Sequence, residues 1–383
     1  MGRAPCILYL NTIPGERTHE MTLAGIRRYA AARGWAVGNV PKRGLGPKRL
    51  ATILAAHRPV AGCVVECPDD SLRLPPGLFS AVPVVYLHPP PALRDGRVAC
   101  VTADNEAIAG AAFRELSVGR PAALAVVGNA WKVDWADVRS RTFQALAAEA
   151  GTPCFVFPVR REGRGKRSAR LAGWVGSLPR KCAVFAVNDE AAADTVNSAR
   201  RAGRSIPREL TLLGVDNLPA FCEAPRRSIT SIQLDHERAG YVAASMLATT
   251  TTEHATIGPL MAVRRESTGG RGRREKFVLA AVEMIRREAC DGLTAAVLAG
   301  RFRCSRWHFE KRFREATGYS VLDEILHVRL ERALSLLSQT DTAIGAIHAL
   351  CGFRSGRALD SLFHARFKSS MREWRRRNGS SHS

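Results

Sequence analysis

The sequence lacks several features that would place it among common classes of protein. No stretch approaches the roughly 20 apolar residues that a membrane helix needs. The apolar run before Asn11 has only about five residues, too few for the core of a secretory signal. The ten cysteines form no CxxC pair, which argues against a zinc site and a disulfide framework. We therefore expect a cytoplasmic protein with reduced thiols, no metal, no cofactor and no membrane partner.

Enzyme signatures are missing as well. The chain contains neither Gly-x-Ser-x-Gly nor His-Glu-x-x-His. A segment at 163–168, GRGKRS, is superficially similar to a phosphate-binding loop, but Arg160 stands where the first glycine belongs and Arg167 where Ser or Thr would bind Mg²⁺. We expect residues 160–170 to form an exposed basic surface, and we expect no enzyme activity.

Positive charge is the feature in excess. The 383 residues carry 57 Lys and Arg against 35 Asp and Glu, a net charge of +22. Such an excess favours a polyanionic partner, either nucleic acid or an anionic membrane surface. Half of it lies after residue 263, in under a third of the chain. Arginine enrichment from a GC-rich genome is an alternative explanation, and it is weaker for this last part.

Short β-rich runs alternate with alanine-rich segments from residue 6 to about 260. This rhythm predicts parallel sheets covered by helices. Eight runs predict strands, from CILYL at 6–10 to LTLLGV at 210–215, and the helix candidates between them are 20–33, 105–117, 137–150, 189–202 and 235–249. Many of the runs end in a polar residue, namely Asn11, Glu66, His88, Asp104, Asn188 and Asp216. Ligands of open α/β sheets gather at the carboxyl ends of strands, so a small polar ligand is indicated, although a helix cap explains any one of them equally well.

The segment 264–275, RRESTGGRGRRE, marks a change in organisation. It has no apolar periodicity and mixes glycines with arginines, which predicts a basic linker. We place a ligand-sensing domain at 1–263 and a helical DNA-binding domain at 276–383.

The helical region contains one pattern twice. In 305–315, Phe309 and Phe313 lie four apart on one predicted helix face, with Ser305 as its cap and an alanine-rich helix before it. A second unit, 342–367, repeats this with Gly352 in the turn and Ser355 as the cap. The connector 320–340 predicts a long amphipathic helix that buries Leu322, Ile325, Leu330, Ala333 and Leu337. Two helix-turn-helix units on one rigid helix could reach successive major grooves, about 34 Å apart.

These motifs carry a family resemblance. Residues 275–378 resemble an AraC/XylS-type DNA-binding domain, through LTAAVLAGRFRCSRWHFEKRFREATGYSV, RLERALSLLSQT and IGAIHALCGF. The resemblance implies base contacts from a first and a second recognition helix and phosphate contacts from flanking basic residues. The residues are Trp307, Glu310 and Lys311 in the first helix, with Arg314 on the same face; Gly356, Arg357, Asp360 and Ser361 in the second; and Arg303, Arg306, Arg366 and Lys368 at phosphates. The chain departs from the family at Val321 and Met371, where Pro is usual, and at His364, where Lys is usual.

The first domain resembles the LacI/GalR sugar-sensing module, a type I periplasmic-binding fold. The marks are NDEAA at 188–192, LLGVDN at 212–217, TSI at 230–232 and the closing RRESTGG. The resemblance implies a ligand between two lobes. Its candidate polar contacts are Asp104, Arg139, Asn188, Asp189 and Asp216, in addition to Asn11, and its candidate aromatic rings are Trp131, Trp135 and Phe221. Helix caps, an interlobe ion pair and core tryptophans are the structural alternatives. Thr142 stands where the family commonly has Gly.

The two resemblances together define the expectation. The fold class is an α/β two-lobed type I periplasmic-binding-like sensor domain followed by an all-α double helix-turn-helix domain. The implied function is a DNA-binding transcription regulator, an activator of carbohydrate-use genes, that acts as a homodimer with RNA polymerase. Its implied partners are double-stranded promoter DNA and a small sugar, xylose or a related monosaccharide. The alternative is a solute-binding receptor of a transport system, which the first domain alone would also allow.

Overall fold

The computed structural model describes residues 4–11, 17–41, 45–66, 76–79, 82–94, 98–130, 133–160, 162–223, 228–248, 254–270, 275–340, 342–367 and 369–378. They form a two-lobed α/β domain followed by a helical domain. Both parts of the expected fold class are therefore confirmed. The interior strands of the two sheets are mostly buried runs rich in Val, Ile, Leu and Ala, as expected for parallel strands covered by helices on both faces.

The first lobe is built on a parallel sheet with the strand order β11-β5-β4-β3-β1-β2. Its strands are β1 (Cys6–Asn11), β2 (Ala36–Pro41), β3 (Val60–Glu66), β4 (Val84–Leu87), β5 (Ala99–Ala103) and β11 (His254–Ile257), and its helices are α1 (Arg17–Ala31), α2 (Pro47–Ala56) and α8 (His236–Met246). Helices α1 and α8 pack so closely that a Cβ added to Gly25 would lie 1.8 Å from the Glu237 carbonyl oxygen. Only glycine permits this approach.

The second lobe has the strand order β12-β10-β9-β8-β6-β7, parallel except for β12. Its strands are β6 (Ala123–Val127), β7 (Cys154–Phe157), β8 (Cys182–Ala186), β9 (Leu210–Val215), β10 (Thr230–Leu234) and β12 (Pro259–Val263). Its helices are α3 (Asn105–Ser117), α4 (Asp134–Glu149), α5 (Arg164–Ser177), α6 (Asp189–Arg201) and α7 (Pro219–Cys222). The chain crosses between the lobes three times, at Asp104, at Asp235 and at Gly258.

All eight strands predicted from β-rich runs are present, and four further strands were not predicted. β2 reads AVGNVP, and its Gly and Pro weaken the strand pattern. β11 and β12 have four and five residues, too few for a clear alternation. β10 was noted only as part of a family motif.

The start of the expected linker is folded into the second lobe. Residues Glu266–Thr268 form a short 3₁₀ turn, and the buried Ser267 accepts a hydrogen bond from Thr230 N at 2.8 Å. Residues 271–274 lie outside the described residues.

The helical domain comprises α9 (Glu275–Glu288), α10 (Ala295–Arg301), α11 (Arg306–Thr317), α12 (Val321–Gln339), α13 (Ile344–Leu350), α14 (Gly356–Phe367) and α15 (Met371–Asn378). Its first core joins α9–α12 to Leu260, Met261 and Val263 of β12, so the helical domain is packed onto the second lobe. Its second core lies around Leu337, Leu359 and Phe363.

The sequence pattern predicted one residue of α12 to be buried that is exposed in the structure. Leu322 was expected to be buried, but 55% of its surface is exposed. Val321, Ile325 and Val328 form the buried stripe at i, i+4 and i+7, and a helix turns about 100° per residue, so Leu322 falls beside that stripe. Ile325, Leu330, Ala333 and Leu337 are buried as expected.

Candidate ligand cleft and DNA interface

The polar strand ends of both lobes meet at the crossings of the chain. Asp104 follows β5 and caps α3, accepting from Ala107 N at 2.8 Å, while Asn188 follows β8 and caps α6, accepting from Ala191 N at 2.9 Å. The helix-cap alternative therefore describes what these two side chains do. A cap uses one oxygen, so each side chain retains further hydrogen-bonding capacity toward the cleft.

Arg139 is the cation of the second lobe's cleft edge. It lies on α4 with 4% exposure, and its Nε donates to Asn105 Oδ1 at 2.9 Å while Nη1 donates to the Val187 carbonyl at 2.7 Å. Its guanidinium carbon lies 4.8 Å from the centre of the Trp135 ring. Burial lowers the pKa of Arg139 to about 10, against the opposing effect of Asp216 and Asp189. These contacts fix the guanidinium at the ends of β8 and α3.

Asp189 and Asp216 lie near this cation and do different work. Asp189 is fully buried, accepts from Ser231 Oγ at 2.6 Å and from Leu218 N at 2.7 Å, and so fastens the loop after β9 to β10. A Cβ at Gly214 would lie 2.3 Å from Asp189 Oδ1, so the sequence must keep Gly there. Asp216 has φ 101°, a strained conformation for a residue with a side chain. Burial raises the pKa of both carboxyl groups.

The first lobe contributes Asn11, Glu66 and His88, and the crossing into α8 contributes His236. Asn11 is 1% exposed and donates to Asn39 Oδ1; Glu66 Oε1 accepts from Tyr9 at 2.7 Å. The pKa values of His88 and His236 are both lowered to about 4, mainly by burial and in part by the positive charge of Arg139. The charge of Arg139, in the second lobe, therefore acts on an imidazole of the first lobe and on one at the crossing into α8.

Two contributors to this cleft were missed by the sequence interpretation, Asn105 and His236. His236 was counted only as part of a helix, yet its buried Nε2 has no hydrogen-bonding partner within the described part of the chain. The sequence offers one signal for His236: it directly follows the helix cap Asp235, where the chain passes from β10 of the second lobe to α8 of the first.

The aromatic side chains expected at the cleft pack against hydrophobic core clusters of the second lobe, where the structure describes them. Phe221 is half-buried on α7 and packs against the core of the second lobe, and Trp135 packs against another core cluster of that lobe. Trp131 lies outside the described residues.

Both helix-turn-helix units have their expected geometry. Ser305 Oγ accepts from His308 N at 3.3 Å at the start of α11, and Ser355 Oγ accepts from Ala358 N at 3.3 Å at the start of α14. Phe309 and Phe313 are fully buried under α11, as are Leu359 and Phe363 under α14. Each second helix is therefore seated by one face and leaves the opposite face in solvent.

The expected DNA contacts of the first unit lie on that free face. Trp307 is 64% exposed, Lys311 Nζ lies 5.0 Å from the centre of its ring, and Glu310 Oε1 lies 4.0 Å from Arg306 Nε. Arg303, with φ 51°, and Arg314 are exposed beside them.

The second unit is exposed in the same way but is less basic. Arg357, Asp360 and Ser361 are exposed and Gly356 is half-buried. Arg366 is exposed and borders a cavity of about 370 Å³ between the helical domain and the two-lobed domain, with His327 and Asp235. Lys368 lies outside the described residues.

Other site types find no support in the part of the chain that is described. It contains no cluster of three or more His, Cys, Asp or Glu residues able to hold a metal ion. None of its helices combines the length and the apolar character needed to cross a bilayer.

A two-lobed cleft lined by charged and hydrogen-bonding groups, joined to paired helix-turn-helix units with solvent-facing second helices, defines a ligand-responsive DNA-binding transcription regulator. Sequence comparisons agree with this class. The periplasmic binding protein-like domain family matches residues 111–268, and the helix-turn-helix domain family matches residues 298–377.

The chain is homologous to xylose operon regulatory proteins and joins a periplasmic-binding-like domain to an AraC-type helix-turn-helix domain. The chain is 27% identical to the xylose operon regulatory protein of Escherichia coli (strain K12) over 287 residues, which is 72% of this chain and 73% of the relative. The structure of the xylose-binding transcription activator xylR superposes with TM-score 0.59 and 24% identity, covering 98% of both chains. A periplasmic binding protein/LacI regulator from Alkaliphilus metalliredigens, solved with D-xylulofuranose, matches 70% of this chain and all of its own length, with TM-score 0.54 and 18% identity.

Proposed function

We propose that this protein activates carbohydrate-use genes by binding promoter DNA under the control of a small sugar held between its two lobes. One observation carries the proposal. The same chain places a charged interlobe cleft and two capped, solvent-facing recognition helices in one packed structure. We propose the functional division at 1–263, 264–275 and 276–383.

The sugar site consists of groups that suit vicinal hydroxyls. Arg139, Asp104, Asn188 and Asp216 offer charged or amide groups from the second lobe and the crossings, while Asn11 reaches from the first lobe. Charged groups form short, directional hydrogen bonds with hydroxyls. Asp189 would not contact the sugar itself, because its two oxygens accept hydrogen bonds from Ser231 and Leu218. Its role would be to hold the loop that carries Asp216. The relatives named for xylose support xylose or a related monosaccharide as the effector.

DNA recognition falls to the two exposed helix faces. Trp307, Glu310 and Lys311 would contact bases from α11, and Arg357, Asp360 and Ser361 from α14. The connecting helix α12 has 19 residues, a length of about 28 Å at 1.5 Å per residue, comparable to one turn of B-DNA. Arg303, Arg306 and Arg314 would fix the register at phosphates.

The biological setting follows from this assignment. We propose a cytoplasmic homodimer that contacts RNA polymerase at the promoter and requires no cofactor. A transport receptor, which the two-lobed domain alone would permit, leaves the basic helical domain without a role. An enzyme would be favoured only if the protein were shown to convert a candidate sugar into a product.

The proposal is tested by selecting a binding site from random duplex DNA and measuring affinity by fluorescence anisotropy. Replacing Lys311 and Arg357 by Ala should lower the affinity for the selected site by about 10- to 100-fold, with little change for random DNA. The matched control removes two exposed arginines outside the recognition helices, Arg141 and Arg287. Equal losses in both double variants would show that only net charge matters, and would contradict sequence-specific binding through α11 and α14.

A further inference from the structure

The two domains touch through a set of buried ion pairs around Arg286 of α9. Arg286 is 8% exposed in its side chain and donates to Asp235, and its Nη1 donates to Glu237 Oε2 at 3.2 Å. Its Nε lies 4.0 Å from Glu324 Oε1 of α12. Burial acts to lower the pKa of Arg286, but these three carboxylates raise it above its ordinary value. The guanidinium of the helical domain is therefore held by the first turn of α8 in the two-lobed domain.

A second contact extends this junction along α12. Arg238, one turn along from Asp235, has its Nε 3.4 Å from Glu331 Oε1 and its Nη1 3.1 Å from His327 Nδ1. Two arginines, one from each domain, thus connect the start of α8 to α9 and to the middle of α12. Since α12 also separates the two helix-turn-helix units, a movement of α8 would be transmitted to both of them.

His236 lies in sequence between the two acidic contacts Asp235 and Glu237, where the chain crosses from β10 of the second lobe to α8. The charged groups that act on its ring are Asp235, His19 and Arg139 of the second lobe. Its Nε2 is buried without a hydrogen-bonding partner among the residues the structure describes. A buried ring nitrogen of this kind is a hydrogen-bonding site for a polar group that enters the cleft.

The same turn is also tied to the back of the cleft. Asp235 directly follows β10, whose Ser231 donates to Asp189 and whose Gln233 accepts from Asn217 at 2.8 Å. Glu237 in addition pairs with Arg28 of α1, 3.2 Å from its Nε. Strand β10, α1 and α8 therefore converge on three consecutive residues, 235–237.

We propose that residues 235–237 are the relay of this regulator: His236 contacts the bound sugar, and Asp235 and Glu237 pass the resulting shift to Arg286 of the helical domain. The inference rests on the proposed function and names the residues that would couple its two sites. A ligand changes an equilibrium only through contacts that differ between the two arrangements. The unpartnered Nε2 of His236 is available for such a contact, and the backbone that carries His236 also carries two of the three carboxylates that pair with Arg286.

The test asks whether the ion pairs of Arg286 transmit sugar binding to the DNA-binding helices or only hold the two domains together. It compares variants of two neighbouring arginines on α9. Arg286→Met removes the ion pairs of Arg286 with Asp235, Glu237 and Glu324. Arg287→Met removes an arginine that is 71% exposed and pairs with Glu288 of its own helix. For each full-length protein, xylose affinity is measured by calorimetry and affinity for the selected DNA by anisotropy, with and without sugar. We expect the wild type and Arg287→Met to show the same sugar-dependent change, about 5-fold or more. Arg286→Met should bind xylose within about 2-fold of wild type and lose the change in DNA affinity.

Two further variants keep the result decisive if Arg286→Met folds poorly. Arg286→Lys preserves the charge and should retain part of the sugar response. His236→Leu should lower xylose affinity by about 10-fold, the loss of one buried hydrogen bond, and leave sugar-free DNA affinity unchanged.

The outcomes distinguish the two proposals. A sugar response in Arg286→Met or Arg286→Lys equal to that of the wild type, or unchanged xylose affinity in His236→Leu, would overturn the relay and leave the regulator intact. A wild-type protein that binds sugar with no effect on DNA affinity would contradict the proposed function, and the relay with it.

Discussion

Replacing Arg139 tests the construction of the ligand cleft most fully. Arg139→Met keeps most of the side-chain volume and removes the hydrogen bonds to Asn105 and to the Val187 carbonyl. Bonds from a charged donor contribute about 1.5–3 kcal/mol each, so about 3–6 kcal/mol is lost. The change also leaves Asp216 and Asp189 without their neighbouring cation, which adds to the loss.

A compensating term acts in the opposite direction. The pKa of Arg139 lies at about 10, below the ordinary 12.5, because burial disfavours the charged form. At about 1.36 kcal/mol per pKa unit, removing the buried charge returns about 3 kcal/mol. The two figures leave about 0–3 kcal/mol, and the loss of the cation beside Asp216 and Asp189 places the expected decrease in the free energy of unfolding in the upper part of that range, about 1–3 kcal/mol.

The assay is urea unfolding at pH 7.5 followed by circular dichroism, together with calorimetric titration of xylose. Arg141→Met is the matched control, since Arg141 lies two residues along the same helix, is exposed and donates only to the Asp137 carbonyl in the described structure, at 3.4 Å. It should change stability by less than about 0.5 kcal/mol. Arg139→Met should also bind xylose at least about 10-fold more weakly. A stability loss below about 1 kcal/mol with unchanged xylose affinity would refute this description of the cleft.

Three further predictions concern the recognition helix, the connector and pH. Lys311→Ala alone should weaken binding to the selected DNA by about 5- to 50-fold in anisotropy titrations, and equal weakening for random DNA would assign Lys311 to phosphate instead of base contacts. Ser320→Ala removes a capping box in which Ser320 Oγ accepts from Asp323 N at 3.1 Å, and should cost the helical domain about 1 kcal/mol in thermal unfolding; an unchanged melting temperature would contradict it. Because the pKa values of His88 and His236 are lowered to about 4, the unfolded chain takes up protons that the folded chain does not as pH falls from 6.5 toward 4. These two histidines should therefore lower stability over that window, by up to about 3 kcal/mol each, while the raised pKa values of Asp189 and Glu324 act in the opposite direction. The stability of His236→Leu should fall less steeply with falling pH than that of the wild type, and equal slopes for the two proteins would count against burial of this ring.

The helical domain was predictable because its signals are local. Phe309 with Phe313, and Leu359 with Phe363, lie four apart on their helices, and Ser305 and Ser355 stand at the caps, so seated and free faces follow from the sequence. The error at Leu322 arose where an apolar residue stands beside the buried stripe, a distinction that requires the helix orientation.

The cleft was only partly predictable because its members are distant in sequence. Strand ends such as Asn11, Asp104 and Asp216 can be identified from the chain, since parallel strands bring their carboxyl ends to one edge. The roles of Arg139 and Asp189 came from family resemblance.

The domain junction gave no sequence signal. Arg286 is one of several arginines on an amphipathic helix, and only the packing of α9 against α8 distinguishes it from the exposed Arg287. The same holds for His236, which local pattern assigns simply to a helix. Long-range convergence of side chains is the part of this structure that periodicity does not encode.

The most direct test of the central claim is the affinity of the full-length protein for its selected DNA, measured by anisotropy with and without saturating xylose and related monosaccharides. The account predicts that at least one of these sugars changes the dissociation constant by about 5-fold or more. Dissociation constants that agree within about 2-fold for every sugar, with calorimetry showing that a sugar is bound, would contradict it.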